Sequence, residues 1–372
     1  MAVAEKSGCK WYSIRSRQTC PICGSTKGRC GFMTNEKDEV VLYRCKYKQS
    51  SRHSSDGWYI HLVSELNGSA THTSDVKNII NISDYKKEPI TEELLTLWNS
   101  VYRKFRECMF TLNGKYLYDE HLQSLLSRGL SIKEISEIGC FSVPRNEVVS
   151  YKNYNCKLKT AIINELLQHF KADDIIRVPG FSKATYNGKE YITFKNNMDA
   201  FFIPYYDSKN RLVGMQYRLT TPMQDKKGKK IRYLWYSSEA SCGSPIDYFV
   251  PTNLNHKFDN VILVSEGALK AKIAGLKLGI RSLAEAGVTN YRQLVKTLQK
   301  IEAEEGKKYN ILLALDMDKY TNNDVISAEI NTVSLLKSLG YSVTILEWNV
   351  EEGKGIDDKL IMSTSGFRFL TV

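Results

Sequence analysis

Four short apolar runs recur through the last third of the chain: Val261–Val264, Ile280–Ala284, Ile311–Leu315 and Tyr341–Leu346. Runs this short, flanked by turn residues, predict buried strands. Between them Ala268–Leu278, Tyr291–Glu305 and Val325–Leu339 carry apolar residues at helical spacing, so strand and helix alternate. Strands that are apolar throughout, separated by helices, predict a parallel sheet covered on both faces. Right-handed crossovers then bring the C-terminal ends of the strands to one edge, where sites form in open α/β sheets.

Upstream the pattern differs. Ala200–Tyr205, Leu212–Leu219 and Ile231–Tyr236 read as strands, divided by an Asp207–Asn210 turn and a basic loop over Thr220–Lys230. Glu92–Phe110 has one apolar stripe (Leu94, Leu95, Leu97, Trp98, Val101, Tyr102 and Phe105) and predicts a packing helix. A helical pair follows: His121–Arg128 closes on Gly129, and Ser131 caps Ile132–Ile138. The turn between them is helix-turn-helix in geometry only, for it offers no side chain suited to a base edge. Near the start, Val40–Cys45 alternates as a short strand after a polar Asn35–Glu39 turn, and Asn67–Asp84 reads as a polar connection. The expected class is α/β. A small N-terminal domain over 1–62, a linker with a helix over 63–112, a mixed α+β basic subdomain over 113–256 and a parallel-sheet domain over 257–372 make up the chain.

Charge adds a partner. The 372 residues carry a net charge of +11, with 42% hydrophobic residues, enough to build a core. Residues 1–60 hold eleven Lys/Arg against five Asp/Glu, and residues 207–236 hold eight against two. Two basic stretches separated by more neutral sequence point to a nucleic-acid surface. The apolar runs are far shorter than the ~18–20 residues of a membrane span, and the opening residues lack a signal-peptide core, so a cytoplasmic protein is expected, with no membrane partner.

The nine cysteines therefore belong to a reducing compartment and point to metal where they cluster. Cys20-Pro-Ile-Cys23-Gly has the spacing that turns two thiolates toward one ion, and Cys30 and Cys45 complete a tetrahedral zinc set. His53 or Cys9 is the alternative fourth ligand. A segment this small needs the metal as a staple. Its surface carries Arg15, Arg17, Arg29, Arg44, Lys46, Lys48 and Arg52 interleaved with Tyr43, Tyr47, Trp58 and Tyr59, cations and rings suited to a single strand. Trp58 and Tyr59 equally suit packing beneath the ribbon. Cys108, Cys140, Cys156 and Cys242 are scattered and read as core residues.

Acidic residues fall where the strands end. Glu266-Gly267 closes the first C-terminal strand, Asp316-Met-Asp318 the third, and Lys354-Gly-Ile-Asp357-Asp358 follows the fourth. Carboxylates gathered at one sheet edge suit Mg²⁺ or Mn²⁺. Asp357 or Asp358 doubles as a helix cap.

This order of motifs is similar to the TOPRIM domain of bacterial-type primases, topoisomerases, recombination mediators and some nucleases. Phe202-Ile-Pro-Tyr-Tyr-Asp207, Arg211-Leu-Val-Gly-Met-Gln-Tyr-Arg218 and Arg232-Tyr-Leu-Trp-Tyr-Ser-Ser238 resemble the basic subdomain of DnaG-type primases, and the cysteine ribbon matches the family's order. Cys-Pro-Ile-Cys-Gly, Glu266-Gly-Ala-Leu-Lys-Ala271 and Gly353-Lys-Gly-Ile-Asp-Asp358 resemble a subgroup found in phages and mobile elements. In two respects the chain departs from chromosomal primases: its four-cysteine spacing, and Lys270 where they usually have an acid.

The resemblance implies RNA primer synthesis on single-stranded DNA from ribonucleotides, with two divalent ions. Asp316 and Asp318 would be metal ligands with Asp357 or Asp358 assisting, and Glu266 a ligand or general base. Arg218, Lys230 and Arg232 would hold triphosphate or template phosphates, and Lys270 would neutralise phosphate charge. A replicative helicase, where needed, is expected in trans. A TOPRIM nuclease uses the same acids on water, and a recombination-mediator-like binding protein pairs a four-cysteine site with TOPRIM; these are the alternatives. A topoisomerase is excluded by size and by the lack of a domain bearing a tyrosine nucleophile.

Overall fold

The computed structural model describes residues 10–14, 19–26, 29–37, 39–54, 57–66, 90–224, 228, 230–236, 245–285, 287 and 290–372. Arg15, Arg17, Cys9, Cys242, the Asn67–Asp84 connection and Lys227 and Lys229 of the basic loop lie outside them. The chain forms two compact units, residues 1–89 and 90–372.

The first unit is an antiparallel sheet of β1 (Lys10–Ser13), β2 (Gly31–Thr34), β3 (Val40–Cys45) and β4 (Tyr59–Leu62), in that order, followed by a single turn, α1 (Val63–Leu66). Asn35 makes the predicted turn, its Oδ1 accepting from the backbone N–H groups of Lys37 and Glu39. The core is small: Ile14, Ile22, Phe32 and Tyr43 pack around Cys20, Cys30 and Cys45.

The second unit begins with α2 (Glu92–Asn113), capped by Thr91, whose hydroxyl accepts from the Leu94 N–H. The sequence groups this helix with a linker over 63–112, yet Trp98, Val101, Tyr102 and Phe105 lie at the centre of the second unit's aromatic core, against Phe141, Phe181, Phe194 and Phe202. α3 (Asp119–Leu126) and α4 (Ile132–Ile138) follow, then β5 (Phe141–Ser142). Two hairpins, β6 (Val148–Tyr151) with β7 (Tyr154–Lys157) and β8 (Phe181–Tyr186) with β9 (Lys189–Phe194), bracket α5 (Leu158–His169) and α6 (Ala172–Ile176). None of these hairpin elements was expected from the pattern.

β10 (Ala200–Tyr206), β11 (Leu212–Gln224) and β12 (Lys230–Trp235) join β5 in an antiparallel sheet ordered β12-β11-β10-β5. β11 continues to Gln224, so Thr220–Gln224 is strand where a loop was expected.

The C-terminal sheet runs β13 (Asp247–Phe249), β15 (Arg281–Glu285), β14 (Val261–Glu266), β16 (Asn310–Leu313), β17 (Val343–Glu347) and β18 (Arg368–Thr371). The four central strands are parallel, as the apolar runs predict, while β13 and β18 add antiparallel edges. α7 (Ala268–Leu278), α8 (Tyr291–Glu305), α9 (Asn323–Ser338) and α10 (Ile356–Met362) cover the faces.

α7 is buried on nearly every side, because it is shared by both sheets. Leu269, Ile273 and Leu276 pack with Phe201 and Tyr205 of β10 and with Ile135 and Ile138 of α4, while Ala274 faces Leu263 and Ile280. Lys272 is fully buried on this helix. Its Nζ lies 2.8 Å from Asp247 of β13, whose carboxylate also accepts from the Tyr206 N–H at 2.8 Å. The ammonium rests against the Tyr206 and Phe249 rings, 4.7 and 4.9 Å from their centroids. Burial pushes the Asp247 carboxyl above its ordinary range, and Lys272 and the Tyr206 N–H oppose it.

A buried pair tolerates the loss of both charges better than the loss of one. Lys272→Met should destabilise the second unit by about 3–5 kcal/mol, and Lys272→Met/Asp247→Asn should recover much of that loss. Urea unfolding of the three proteins measures both; a double variant no more stable than the single would contradict the pairing.

Candidate metal and nucleotide site

In the ribbon, the Sγ atoms of Cys20, Cys23, Cys30 and Cys45 all lie within 4.8 Å of one another. The Cys23–Cys30 and Cys30–Cys45 separations are 3.8 Å, which is the edge of a tetrahedron with zinc–sulfur bonds of about 2.3 Å. The N–H groups of Tyr47 and Lys48 donate to Cys45 Sγ at 3.4 and 3.3 Å. Burial and the neighbouring Cys20 and Cys23 raise the Cys30 thiol well above its ordinary value, despite a backbone N–H at Lys46, so thiolates here need a cation. The four-cysteine set is compatible with structural zinc. His53 instead bridges to Tyr59 in the backbone. On the ribbon surface, Arg44 lies 5.1 and 4.9 Å from the centroids of Trp11 and Trp58, and Lys46 lies 5.2 Å from Trp58. Tyr43, expected on that face, is buried, and Trp11 takes part instead.

The acids of the second unit stand where the parallel strands end. Glu266 closes β14, and Gly267 turns the chain at φ 83°, a conformation that favours glycine, donating its N–H to Glu285 O at 2.8 Å. α7 then starts at once, which brings Lys270 back over the strand ends. Asp316 and Asp318 sit on a single 3₁₀ turn, Met317–Tyr320. Two contacts hold that turn: the Met317 N–H donates to Lys354 O at 2.9 Å, and buried Lys319 reaches Glu329 at 2.8 Å and Glu347 at 2.7 Å.

Lysines occupy the carboxylates. Lys270 Nζ is 2.5 and 2.7 Å from the two oxygens of Asp316. Lys354 Nζ is 2.7 Å from Asp318 and 3.5 Å from Asp316. Burial works against the Lys270 charge, but Asp316 and Glu266 outweigh it and hold the ammonium above the usual lysine value. Glu266 is raised chiefly by burial, with Asp316 and Asp318 adding and Lys270 and Lys354 opposing.

Asp357 is buried and paired with Arg128 from the turn between α3 and α4. Asp358 turns away: it is exposed, and its carboxylate accepts from the Gly355 N–H at 3.4 Å as a helix cap. Gly355 has no room for a side chain, since a Cβ would lie 2.6 Å from Asp357 Oδ1 and 3.3 Å from Lys270 Cδ.

A divalent ion fits this donor set in part. Asp318 Oδ1 and Asp357 Oδ1 are buried carboxylate oxygens with no partner among the described residues. Both oxygens of Asp316, however, are engaged by Lys270. Among the described residues, no three of these acids bring ligand atoms as close together as the cysteines do. A second close group, Glu120, His121 and Asp199, already has its cation: Arg145 pairs with Glu120 and lies 2.8 Å from Asp199, while His121 bonds Ser142 and Thr220.

Beside the acids opens a cavity of about 340 Å³, lined by Gln216, Tyr233 and Trp235 of the antiparallel sheet and by Glu266, Gly267, Leu269, Lys270 and Gly287. Arg218 pairs with Tyr233 across the strands, so strand alternation turns it to this face. It is 8% exposed, donates to Ser124 Oγ at 3.1 Å and lies over Phe201. Arg232, one residue from Tyr233, alternates to the opposite face, so the two arginines do not share a face of the sheet. Lys230 and Arg232 are exposed.

The sequence pattern does not single out five residues of this site. Tyr233 and Trp235 lie in the Arg232–Ser238 motif already quoted, two residues apart and so on one face of a strand. Lys354 lies within a motif already singled out. Glu285 ends β15 in register with Glu266, the one signal it offered. It is buried, its Oε2 has no partner among the described residues, and burial, with Glu266 adding, pushes its carboxyl up to about 8. Arg128 was read as part of a structural turn, and only the fold brings it to Asp357.

The family model described as Domain of unknown function (DUF3854) matches residues 254–366. No curated protein is similar in sequence. Among solved structures, the Aquifex aeolicus primase, with zinc-binding and RNA polymerase domains, is similar at 13% identity and TM-score 0.49, over 97% of this chain and 81% of that one. The RNA polymerase domain of Mycobacterium tuberculosis primase DnaG is similar at 12% identity and TM-score 0.48, over 73% and 80%. The E. coli primase catalytic core is similar at 13% and 0.46, over 72% and 75%. Among the described residues no helix is long and apolar enough to cross a membrane.

Freshly purified protein should contain about one zinc per chain, and elemental analysis of Cys20→Ser or Cys45→Ser should find it gone, with the ribbon destabilised. A raised carboxyl means that the folded state holds a proton which the unfolded chain releases near its ordinary value of 4.5. The Glu285 contribution to stability is therefore full below about 4.5 and is lost as pH rises toward about 8. Glu285→Gln should thus gain in Tm over the wild type as pH rises through that window; an equal Tm difference at all pH values would show that Glu285 does not titrate there.

Proposed function

We propose that this chain is a template-dependent nucleotidyltransferase of the primase type, joining ribonucleotides into short primers on single-stranded DNA. The observation that carries the reading is the meeting, at one sheet edge, of Glu266, the Asp316–Asp318 turn and Asp357 with a cavity walled by the basic antiparallel sheet. The motif order in the sequence supports it, as does the net charge of +11. In this reading 113–256 is the nucleotide- and DNA-binding subdomain and 257–372 the catalytic one.

Asp318 and Asp357 would hold Mg²⁺ or Mn²⁺, which supplies stabilisation of the charge that builds on the α-phosphate. Lys270 places positive charge on the cavity wall, with Arg218 behind it opposite Tyr233, and fixed cations of this kind hold a triphosphate. Tyr233 and Trp235 offer ring faces to a base. Glu266, raised by burial, is suited to accept the proton of an attacking 3′-hydroxyl. Lys230 and Arg232, on the outer face, would track template phosphates, and the Trp11–Arg44–Trp58 face of the zinc ribbon would hold a single strand. A replicative helicase in trans would supply that strand.

The test is incorporation of labelled ribonucleotides on single-stranded DNA with no primer supplied, in Mg²⁺ or Mn²⁺. Wild type should make short RNA-containing products, and Glu266→Gln and Asp318→Asn should each lower the rate roughly 10²–10⁴-fold with folding retained. Glu266-dependent shortening of end-labelled DNA without incorporation would make the chain a nuclease. DNA binding with neither activity would make it a binding protein of the recombination-mediator kind.

A further inference from the structure

The two lysines on the acidic turn differ in how firmly they are held. Lys270 rises from the first turn of a buried helix, its stem crosses Gly355 at the distance a Cβ would need, and its ammonium spans both oxygens of Asp316. Asp316 is itself only 4% exposed. A cation between the two oxygens of a carboxylate sits where a bidentate metal ion would sit. Moving it away would leave a nearly buried carboxylate with only Lys354, 3.5 Å off, beside it, at high cost. Lys354, by contrast, is 58% exposed at its side chain and touches Asp318 through one oxygen at 2.7 Å. The other oxygen of Asp318 is buried with no partner among the described residues. One cation is built in and one is displaceable.

We propose that the Lys270 ammonium stands in for one of two divalent ions, so that the acidic site takes a single Mg²⁺ or Mn²⁺ on its Asp318 side, with Lys354 giving way as the ion enters. Lys270 is then a positioning residue: it fixes Asp316 and sets the ion count. The proposal rests on reading these acids as a divalent-ion site. It accounts for a turn in which two carboxylates two residues apart meet two ammonium groups, and for acids that do not converge on a pair of ions.

The experiment is a Mn²⁺ titration of the full zinc-loaded chain, read by the loss of free-ion electron paramagnetic resonance signal, with Mg²⁺ as competitor and thermal melting as the folding check. Wild type should bind one Mn²⁺ per chain at this site, and Asp318→Asn should lose it. Lys270→Met should gain a second ion or bind roughly tenfold more tightly, because a fixed positive charge no longer repels the ion. Lys270→Arg should keep the single ion, and Lys354→Ala should tighten it without changing the count. Two ions on the wild type would overturn the proposal even if Lys270→Met failed to fold. So would a folded Lys270→Met with unchanged count and affinity. No ion on any of these proteins would remove the divalent-ion reading and this proposal with it. One ion on a wild type that makes no primers would leave the proposal standing and the polymerase reading defeated.

Discussion

The buried contact between Lys272 and Asp247 fixes the helix on which the acidic site depends. It fastens α7 to β13 while the rest of that helix packs between two sheets of different kinds. Because the helix begins two residues after Glu266, its placement decides where Lys270 stands relative to Asp316. A hydrophobic helix could have packed there with similar energy, yet it could have slid or rotated between two apolar faces. A charge pair with one geometry removes that freedom, which is the use of buried polar contacts best supported by physical argument.

The site that results is organised by cations before any metal is considered. Lys270 and Lys354 meet the acids of the turn, Arg128 meets Asp357, and Arg218 pairs across the sheet with Tyr233 of the cavity wall. Each comes from a different stretch of chain, and two come from the helical and antiparallel parts that precede the parallel sheet. The cavity is therefore a property of the whole second unit. Gln216, Tyr233 and Trp235 close a space that the parallel sheet alone would leave open.

The parallel sheet was the most legible part, because strands buried on both faces leave unbroken apolar runs and their helices leave a clean period. Ala268–Leu278 and Tyr291–Glu305 have in the structure the bounds read from the pattern. The two hairpins after β5 were not legible: Tyr154–Lys157 and Lys189–Phe194 are largely exposed and polar, so little alternation marks them. At the site, the acids were visible from their positions at strand ends, but their partners were not. Arg128 lies 229 residues from Asp357, and no local pattern records a contact over that span. The face of Arg232 is not recorded by a count of charge, because strand parity sends neighbouring residues to opposite sides.

The closeness of the four ribbon sulfurs also has a meaning for oxidants. Cys20, Cys23, Cys30 and Cys45 stand within 4.8 Å of one another in a domain whose core is little more than Phe32, Tyr43 and two isoleucines. Bound zinc keeps such thiolates occupied; once it leaves, neighbouring sulfurs are already near enough to couple, and a disulfide between any two of them removes the tetrahedral set. Metal loss and oxidation would then reinforce each other, and the ribbon would act as a fuse, failing before the second unit does.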